Sequence, residues 1–105
     1  MPIHLVDGLT IAPDRRAEFL DRLELEYLPL VGRSGLPRPR VVCHPPEDVP
    51  GEPTHLLLWW EVGDVAALWK RRAQALAEPE ANFWSDVAPM VLDRSRRYYT
   101  DVELG

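Results

Sequence analysis

The chain has 105 residues, one cysteine and a formal net charge of −5 at pH 7. This length predicts a single domain over residues 1–105, large enough to bury a core but small enough to leave a sheet face that needs a partner. The excess of acids, without a Lys/Arg cluster, argues against nucleic acid or an anionic membrane as partner. The chain has no apolar run long enough to span a bilayer and no signal-like start, so we expect a cytoplasmic protein.

The first third of the chain predicts a strand followed by a helix. Over residues 3–11 apolar side chains alternate with others, which is the period of a strand with one apolar face. Pro13 and Asp14 are typical of a helix start, and Pro29 and Gly32 should weaken and end the helix. The predicted apolar stripe of this helix comprises Leu20, Leu23, Tyr27 and Leu30.

The middle of the chain predicts two strands joined by a turn-rich loop. Residues 37–44 contain short apolar side chains bracketed by prolines, which favours an edge strand. Residues 45–53 have no helical or strand period and contain several prolines, so we expect a hairpin connection. Residues 54–62, with the sequence THLLLWWEV, predict a buried strand rich in large aromatic side chains.

The last third predicts a helical arm over residues 64–93 and a fourth strand over residues 95–103. Pro79 should start a second helical piece, and Pro89 should kink or end it. The apolar stripe of the first piece comprises Val65, Leu68, Trp69 and Leu76. That of the second comprises Phe83, Trp84, Val87 and Val91. Both stripes would pack on the sheet.

The predicted element order is β-α-β-β-α-β, which places the chain in the α+β class. Two right-handed β-α-β units give a four-stranded antiparallel sheet with both helices on one face, the ferredoxin-like arrangement. The other face would carry Leu57 and Trp59. An apolar sheet face of this kind favours a homodimer in which two sheets pair.

Three stretches of sequence resemble a known superfamily. These are LLLWWEVGDVAALW at residues 56–69, FW-x-x-V-A-P-M at residues 83–90 and the closing R-R-Y-Y at residues 96–99. With the element order, they resemble the dimeric α/β-barrel superfamily, and most of all its NIPSNAP-like and antibiotic-biosynthesis-monooxygenase-like branches. The resemblance covers nearly the whole chain. It implies the fold and a barrel formed by two subunits, whereas the superfamily's activities range from cofactor-free oxygenases, cyclases and isomerases to haem enzymes.

Asp7 is the strongest candidate for chemistry, because it falls on the apolar face of the first strand. Burial among hydrophobic side chains would raise the pKa of Asp7 toward the range useful for proton transfer. Alternatively, a tyrosine hydroxyl, an arginine or backbone amides satisfy this carboxylate. An unpaired buried carboxylate is costly, which favours a functional use.

The resemblance assigns two positions to a cavity. In the oxygenase and haem-degrading members an asparagine of the first strand and a tryptophan of the third face the cavity, and the matching positions here are Asp7 and Trp60, or Trp59 if the register slips by one. A carboxylate in place of the amide favours a base. Haem is disfavoured because residues 64–93 contain no histidine to match the axial ligand, and we expect neither a cofactor nor a bound metal.

The fourth strand offers two alternative pairs of polar residues. Because side chains alternate, either Arg96 and Tyr98 or Arg97 and Tyr99 face the helices. We prefer the first pair, in which Tyr98 would bond to Asp7 or Arg96 would hold an oxyanion. Histidines at positions 4, 44 and 55 fit surface or interface roles better than a shared metal site.

Together these residues predict a small cofactor-independent enzyme that binds an apolar, polyketide-like cyclic metabolite between sheet and helices. Asp7, Tyr98 and Arg96 would be catalytic in a cyclisation, isomerisation or dehydration. The predicted substrate-binding residues are Trp60, Trp69, Trp84, Leu58 and Phe83. Two alternatives remain open: a cofactor-free monooxygenase of an aromatic substrate, and a non-catalytic metabolite-binding protein.

Overall fold

The computed structural model describes residues 2–74 and 77–105, without the side chains of residues 68, 72, 74 and 77. Two residues of the predicted helical stripe, Leu68 and Leu76, therefore have side chains outside the described part. The elements are β1 (Ile3–Ile11), α1 (Arg16–Arg22), a π-helical segment (Leu23–Tyr27), α2 (Leu28–Arg33), β2 (Arg40–His44), β3 (Thr54–Val62), α3 (Val65–Gln74), α4 (Ala77–Val87), a 3-10 turn (Ala88–Met90) and β4 (Val91–Thr100).

The four strands form one antiparallel sheet in the order β2-β3-β1-β4. This is the ferredoxin-like α+β arrangement, so the predicted fold class is confirmed. β2 lies at the sheet edge, as its prolines and short length indicate. In β3 every second residue from Thr54 to Val62 is buried, which defines a helix-bearing face and a helix-free face of the sheet.

The core lies between the helix-bearing face and the helices. There, apolar side chains of β1 and β3 pack against apolar residues of the helical segments. Its largest fully buried members include Trp60, Tyr27, Phe19, Leu5, Ile11, Leu56, Leu58, Val31 and Val87. Among the described residues, no helix is long and apolar enough to cross a membrane.

The first helix continues through Pro29 and ends at Arg33, later than its sequence indicates. A proline removes one backbone donor, and its ring collides with the carbonyl four residues before it. Here the turn before Pro29 is π-helical, and the N–H of Leu28 bonds to the carbonyl of Leu23. The wider turn gives the ring room, and it leaves Tyr27 buried at the end of the π-helical segment.

Two predicted boundaries are wrong. Asp14 is not in the first helical turn: it has a left-handed φ of 64°, which Asp tolerates, and its carboxylate accepts a hydrogen bond from the N–H of Gly51 at 3.0 Å. The fourth strand begins at Val91 rather than Ser95. The reason is that the 3-10 turn containing Pro89 ends the helix, and pairing with β1 already starts at the Ile11–Val91 pair.

Candidate functional site

Asp7 is paired with Arg96, which lies directly opposite it on β4. The Nε of Arg96 donates to Oδ1 at 2.7 Å and its Nη2 donates to Oδ2 at 2.9 Å. The Asp7 side chain is only 4% exposed, so both of its oxygens find their charged partner inside the protein. An arginine thus satisfies this carboxylate. Asp7 is therefore not an isolated acid among hydrophobic side chains.

Arg96 connects this buried pair to the surface. Its side chain is 37% exposed. The hydrogen bonds to Asp7 raise the pKa of Arg96, so the guanidinium stays charged at any ordinary pH. The third guanidinium nitrogen, Nη1, is not one of the two donors that bond side-on, through Nε and Nη2, to Asp7. The remaining surface of Arg96 lines a cleft, which brings a fixed positive charge to a place that a small molecule can reach.

The cleft lies between the π-helical segment, α4 and β4, and it has a volume of about 260 Å³. Its lining residues are Tyr27, Glu80, Ala81, Trp84, Arg94 and Arg96. Aromatic rings and charged groups thus converge in one concave site, and convergent polar groups beside aromatic rings are what orients a small ligand. The prediction of a pocket between sheet and helices has its counterpart here, although most of its lining residues differ from the predicted ones.

Tyr27 forms the aromatic floor of the cleft. Its ring lies 5.0 Å from the rings of both Phe83 and Trp84, measured between centroids. Burial raises the pKa of Tyr27, and the nearby charge of Asp7 acts in the same direction. The hydroxyl is therefore neutral at pH 7 and able to donate a hydrogen bond. In the sequence Tyr27 belongs to an apolar helical stripe, and only its hydroxyl group indicates a role beyond packing in the core.

A second ion pair borders the cleft. The Nη2 of Arg71 donates to Oε1 of Glu80 at 3.0 Å, and the two side chains are 8% and 15% exposed. The pair joins α3 to α4. Nine residues and a helix boundary separate Arg71 from Glu80, so the sequence pattern does not indicate that the two side chains pair. In the described part of the chain, Nε of Arg71 is buried without a hydrogen-bond partner.

Arg94, on β4, also lines the cleft. Its guanidinium carbon is 4.2 Å from the centroid of the Trp84 ring, which is a cation–π contact. The same two residues also line a neighbouring depression of about 360 Å³. Trp84 is thus the predicted tryptophan that the structure places at the cleft.

The other predicted site residues lie elsewhere. Leu58, Trp60 and Phe83 are core residues, and Trp60 is only 1% exposed, so they do not line the cleft. Trp69 lies on the outside of α3 with 59% exposed. Tyr98 is on the helix-bearing face opposite Leu5, but Arg96 takes the place beside Asp7. A periodic apolar pattern cannot distinguish a core position from a pocket wall, which explains these differences.

The helix-free face carries a separate polar network. The Trp59 indole N–H donates to Nδ1 of His4 at 3.1 Å, and Nε2 of His4 lies 3.0 Å from the Asp101 carboxylate. Tyr99 stacks on Trp59 at a centroid distance of 6.4 Å. On β2 and β3 the rings of His44 and His55 stack. Within the described residues, no group of three or more His, Cys, Asp or Glu side chains is arranged to hold a metal ion.

Comparisons with known proteins support the fold. No family model matches the sequence, and no curated protein matches it significantly. Solved structures do match over nearly the whole chain. A NIPSNAP family protein from Agrobacterium tumefaciens aligns with a TM-score of 0.68 and 16% identity, covering 98% of this chain and 95% of that one.

Two further structures extend this likeness. An uncharacterised NIPSNAP domain protein from Burkholderia xenovorans aligns with a TM-score of 0.65 and 15% identity, covering 97% of this chain and 95% of that one. A protein from Nitrosomonas europaea, provisionally described as an antibiotic biosynthesis monooxygenase, aligns with a TM-score of 0.64 and 11% identity over 96% and 90% of the two chains. The resemblance to both branches is confirmed at the level of the fold, which these proteins share with this chain.

Proposed function

We propose that this chain is a cofactor-independent enzyme that transfers a proton on a largely apolar, polyketide-like cyclic metabolite bound in the cleft. The observation that carries the proposal is a guanidinium, Arg96, fixed by two hydrogen bonds beside the neutral hydroxyl of Tyr27 and the ring of Trp84. Fixed donors of this kind stabilise the negative charge that develops on a carbonyl oxygen when a neighbouring carbon loses a proton. Cyclisation, isomerisation and dehydration all pass through such a charge.

Asp7 acts in this account by positioning Arg96. It does not line the cleft, and both of its oxygens accept hydrogen bonds from Arg96. A side-on pair with two bonds fixes the plane of the guanidinium and so sets where its remaining N–H groups point. The role proposed for Asp7 thus moves from base to positioning residue.

Glu80 is the carboxylate that lines the cleft, and we assign it as the proton acceptor. Its Oε1 accepts from Arg71, which leaves Oε2 outside that bond. In the proposed step a C–H bond beside the substrate carbonyl breaks, the proton passes to Glu80, and the electron pair moves onto the carbonyl oxygen held by Arg96 and Tyr27. Return of the proton to a different carbon completes an isomerisation without net oxidation or reduction.

A simple ketone tests this function without knowledge of the natural substrate. The rate at which 2-tetralone exchanges its α-hydrogens in D₂O, followed by NMR, should rise in the presence of the protein. Tyr27→Phe keeps the buried ring and should lower the catalysed rate by about tenfold or more. Asp7→Asn should lower it as well, whereas Tyr99→Phe on the helix-free face should not. Exchange at the buffer rate with the wild-type protein would contradict the proposal.

Cofactor-free oxygenation is the second candidate, favoured by the description of the Nitrosomonas europaea neighbour. An electron-rich aromatic substrate stacked on the Trp84 ring, with its phenolate oxygen held by Arg96, would suit that reaction equally. Oxygen uptake in the presence of an aromatic substrate separates the two candidates, because proton transfer runs at full rate without oxygen. Recovery of every bound ligand unchanged, aerobically and anaerobically, would instead indicate a binding protein.

We propose further that two copies pair through the helix-free face. Large apolar side chains are exposed there, among them Leu57, Trp59 and Tyr99. Sedimentation equilibrium should give a dimer for the wild type, and Trp59→Glu should give a monomer. Leu25→Glu is the matched control, because Leu25 is 76% exposed on the π-helical segment, away from the sheet. A wild-type monomer would exclude this pairing.

A further inference from the structure

The charges around the cleft do not cancel. Arg96 is balanced by Asp7, and Glu80 is balanced by Arg71. Arg94 also lines the cleft, and none of the ion pairs among the described residues includes it. Its described contact is with the Trp84 ring, which supplies no formal charge. One positive charge therefore faces the cleft in excess.

The position of Arg94 makes this charge available to a ligand. It lies two residues before Arg96 on β4, so both guanidinium groups extend from the same face of the sheet into the same cleft. The Arg94 and Trp84 pair also lies between the cleft and the depression beside it, because these two residues line both cavities. A ligand that displaces Arg94 from the ring gains a flat aromatic surface.

On the basis of the proposed function, we infer that the substrate carries a carboxylate on a flat ring and that Arg94 binds this carboxylate. A guanidinium forms two parallel charge-assisted hydrogen bonds with a carboxylate, a stronger contact than a cation over a ring. Neither buried ion pair has to break, since Arg94 belongs to neither. A single excess charge matches a monoanion, whereas a phosphate dianion would leave the site negative. Arg94 is thus a specificity-determining residue.

Two probes with the same ring test this inference. 2-Naphthoate and its amide, 2-naphthamide, differ in charge but hardly in shape. Binding is followed by the NMR signal of the Trp84 indole N–H, assigned with Trp84→Phe. The wild type should bind the carboxylate at least about tenfold more tightly than the amide. Arg94→Gln should remove this preference, and Arg38→Gln, an equal change of charge at an exposed position, should keep it.

Each outcome decides the inference. Equal affinity for the two probes, a preference that survives in Arg94→Gln, or no response of Trp84 to 2-naphthoate would overturn it. Proton transfer is tested separately by the exchange of uncharged 2-tetralone with the wild-type protein. If Arg94→Gln loses the carboxylate preference and no variant exchanges 2-tetralone, the ligand class stands and the proposed reaction fails. If the exchange is normal but the carboxylate preference is absent, the proposed reaction stands and the inferred ligand class fails.

Discussion

Arg96 and Arg97 are neighbours in β4, yet they meet opposite environments. Arg96 faces the helices and bonds to a buried carboxylate, whereas Arg97 lies on the helix-free face opposite Val6. The same alternation divides Trp60, which is 1% exposed, from Trp59, which is 38% exposed. Successive residues of a strand point to opposite sides. The role of a side chain in this protein therefore depends on its register in the sheet more than on its type.

The tryptophans of β3 give the largest expected contrast. Trp60→Ala should lower the free energy of unfolding by about 3–5 kcal/mol, because it leaves a cavity in the core. Trp59→Ala should cost about 1 kcal/mol or less within one subunit, since its ring is partly in water. Urea unfolding at several protein concentrations measures both and separates any lost dimer contact. Similar losses, independent of concentration, would contradict the assignment of the two faces.

The arginines of β4 give the next contrast. Arg96→Met should lower the free energy of unfolding by roughly 2–4 kcal/mol, because the Asp7 carboxylate is left buried without its partner. Arg97→Met should change it by about 0.5 kcal/mol or less. Asp7→Leu, added to Arg96→Met, should recover part of the loss. A double variant as unstable as the sum of the two single variants would show that the pair contributes nothing of its own.

Tyr27 should make stability depend on alkaline pH. Its pKa in the folded protein is raised by burial, so folding favours the protonated phenol. This contribution is complete below the unfolded pKa of about 10, and it is lost as the pH rises through the higher folded value. The wild type should therefore lose stability above about pH 10 more steeply than Tyr27→Phe. A slope unchanged in Tyr27→Phe would contradict this assignment.

The smallest expected effect concerns His4 on the helix-free face. An indole N–H can only donate, so Nδ1 of His4 accepts from Trp59 and Nε2 carries the proton that faces Asp101. His4→Phe should remove the acceptor of the Trp59 hydrogen bond, at a cost of about 1 kcal/mol. The NMR signal of the Trp59 indole N–H should then move while that of buried Trp60 stays. Parallel changes in both signals would contradict this.

The sequence allows most of the fold to be predicted. The alternation in β1 and β3 sets which residues face the helices, and this places Asp7 inside the protein. β4 has no such alternation, because Arg-Arg-Tyr-Tyr is equally polar on both sides. Only the partner decides its register: the buried carboxylate of Asp7 requires a cation, and Arg96 supplies it.

The composition of the cleft was harder to predict. Tyr27 reaches it because a π-helical turn makes room for Pro29, and no helical period shows that irregularity. The Arg71 and Glu80 pair depends on how α3 and α4 pack, which is a tertiary relation. The sequence predicts Trp60 as a pocket residue, whereas the structure buries it in the core, because apolar spacing alone does not distinguish a filled core from an open pocket wall.

The exchange of 2-tetralone hydrogens by Arg96→Lys and Arg97→Lys tests the central claim most directly. Both variants keep their charge, but a lysine cannot reproduce the side-on pair with Asp7. We expect Arg97→Lys to exchange like the wild type and Arg96→Lys to fall by about a hundredfold, since the oxyanion loses a fixed donor. Equal rates in the two variants, or a loss confined to Arg97→Lys, would contradict this claim. The chemistry would then not take place in the cleft, which lies on the helix-bearing face of the sheet.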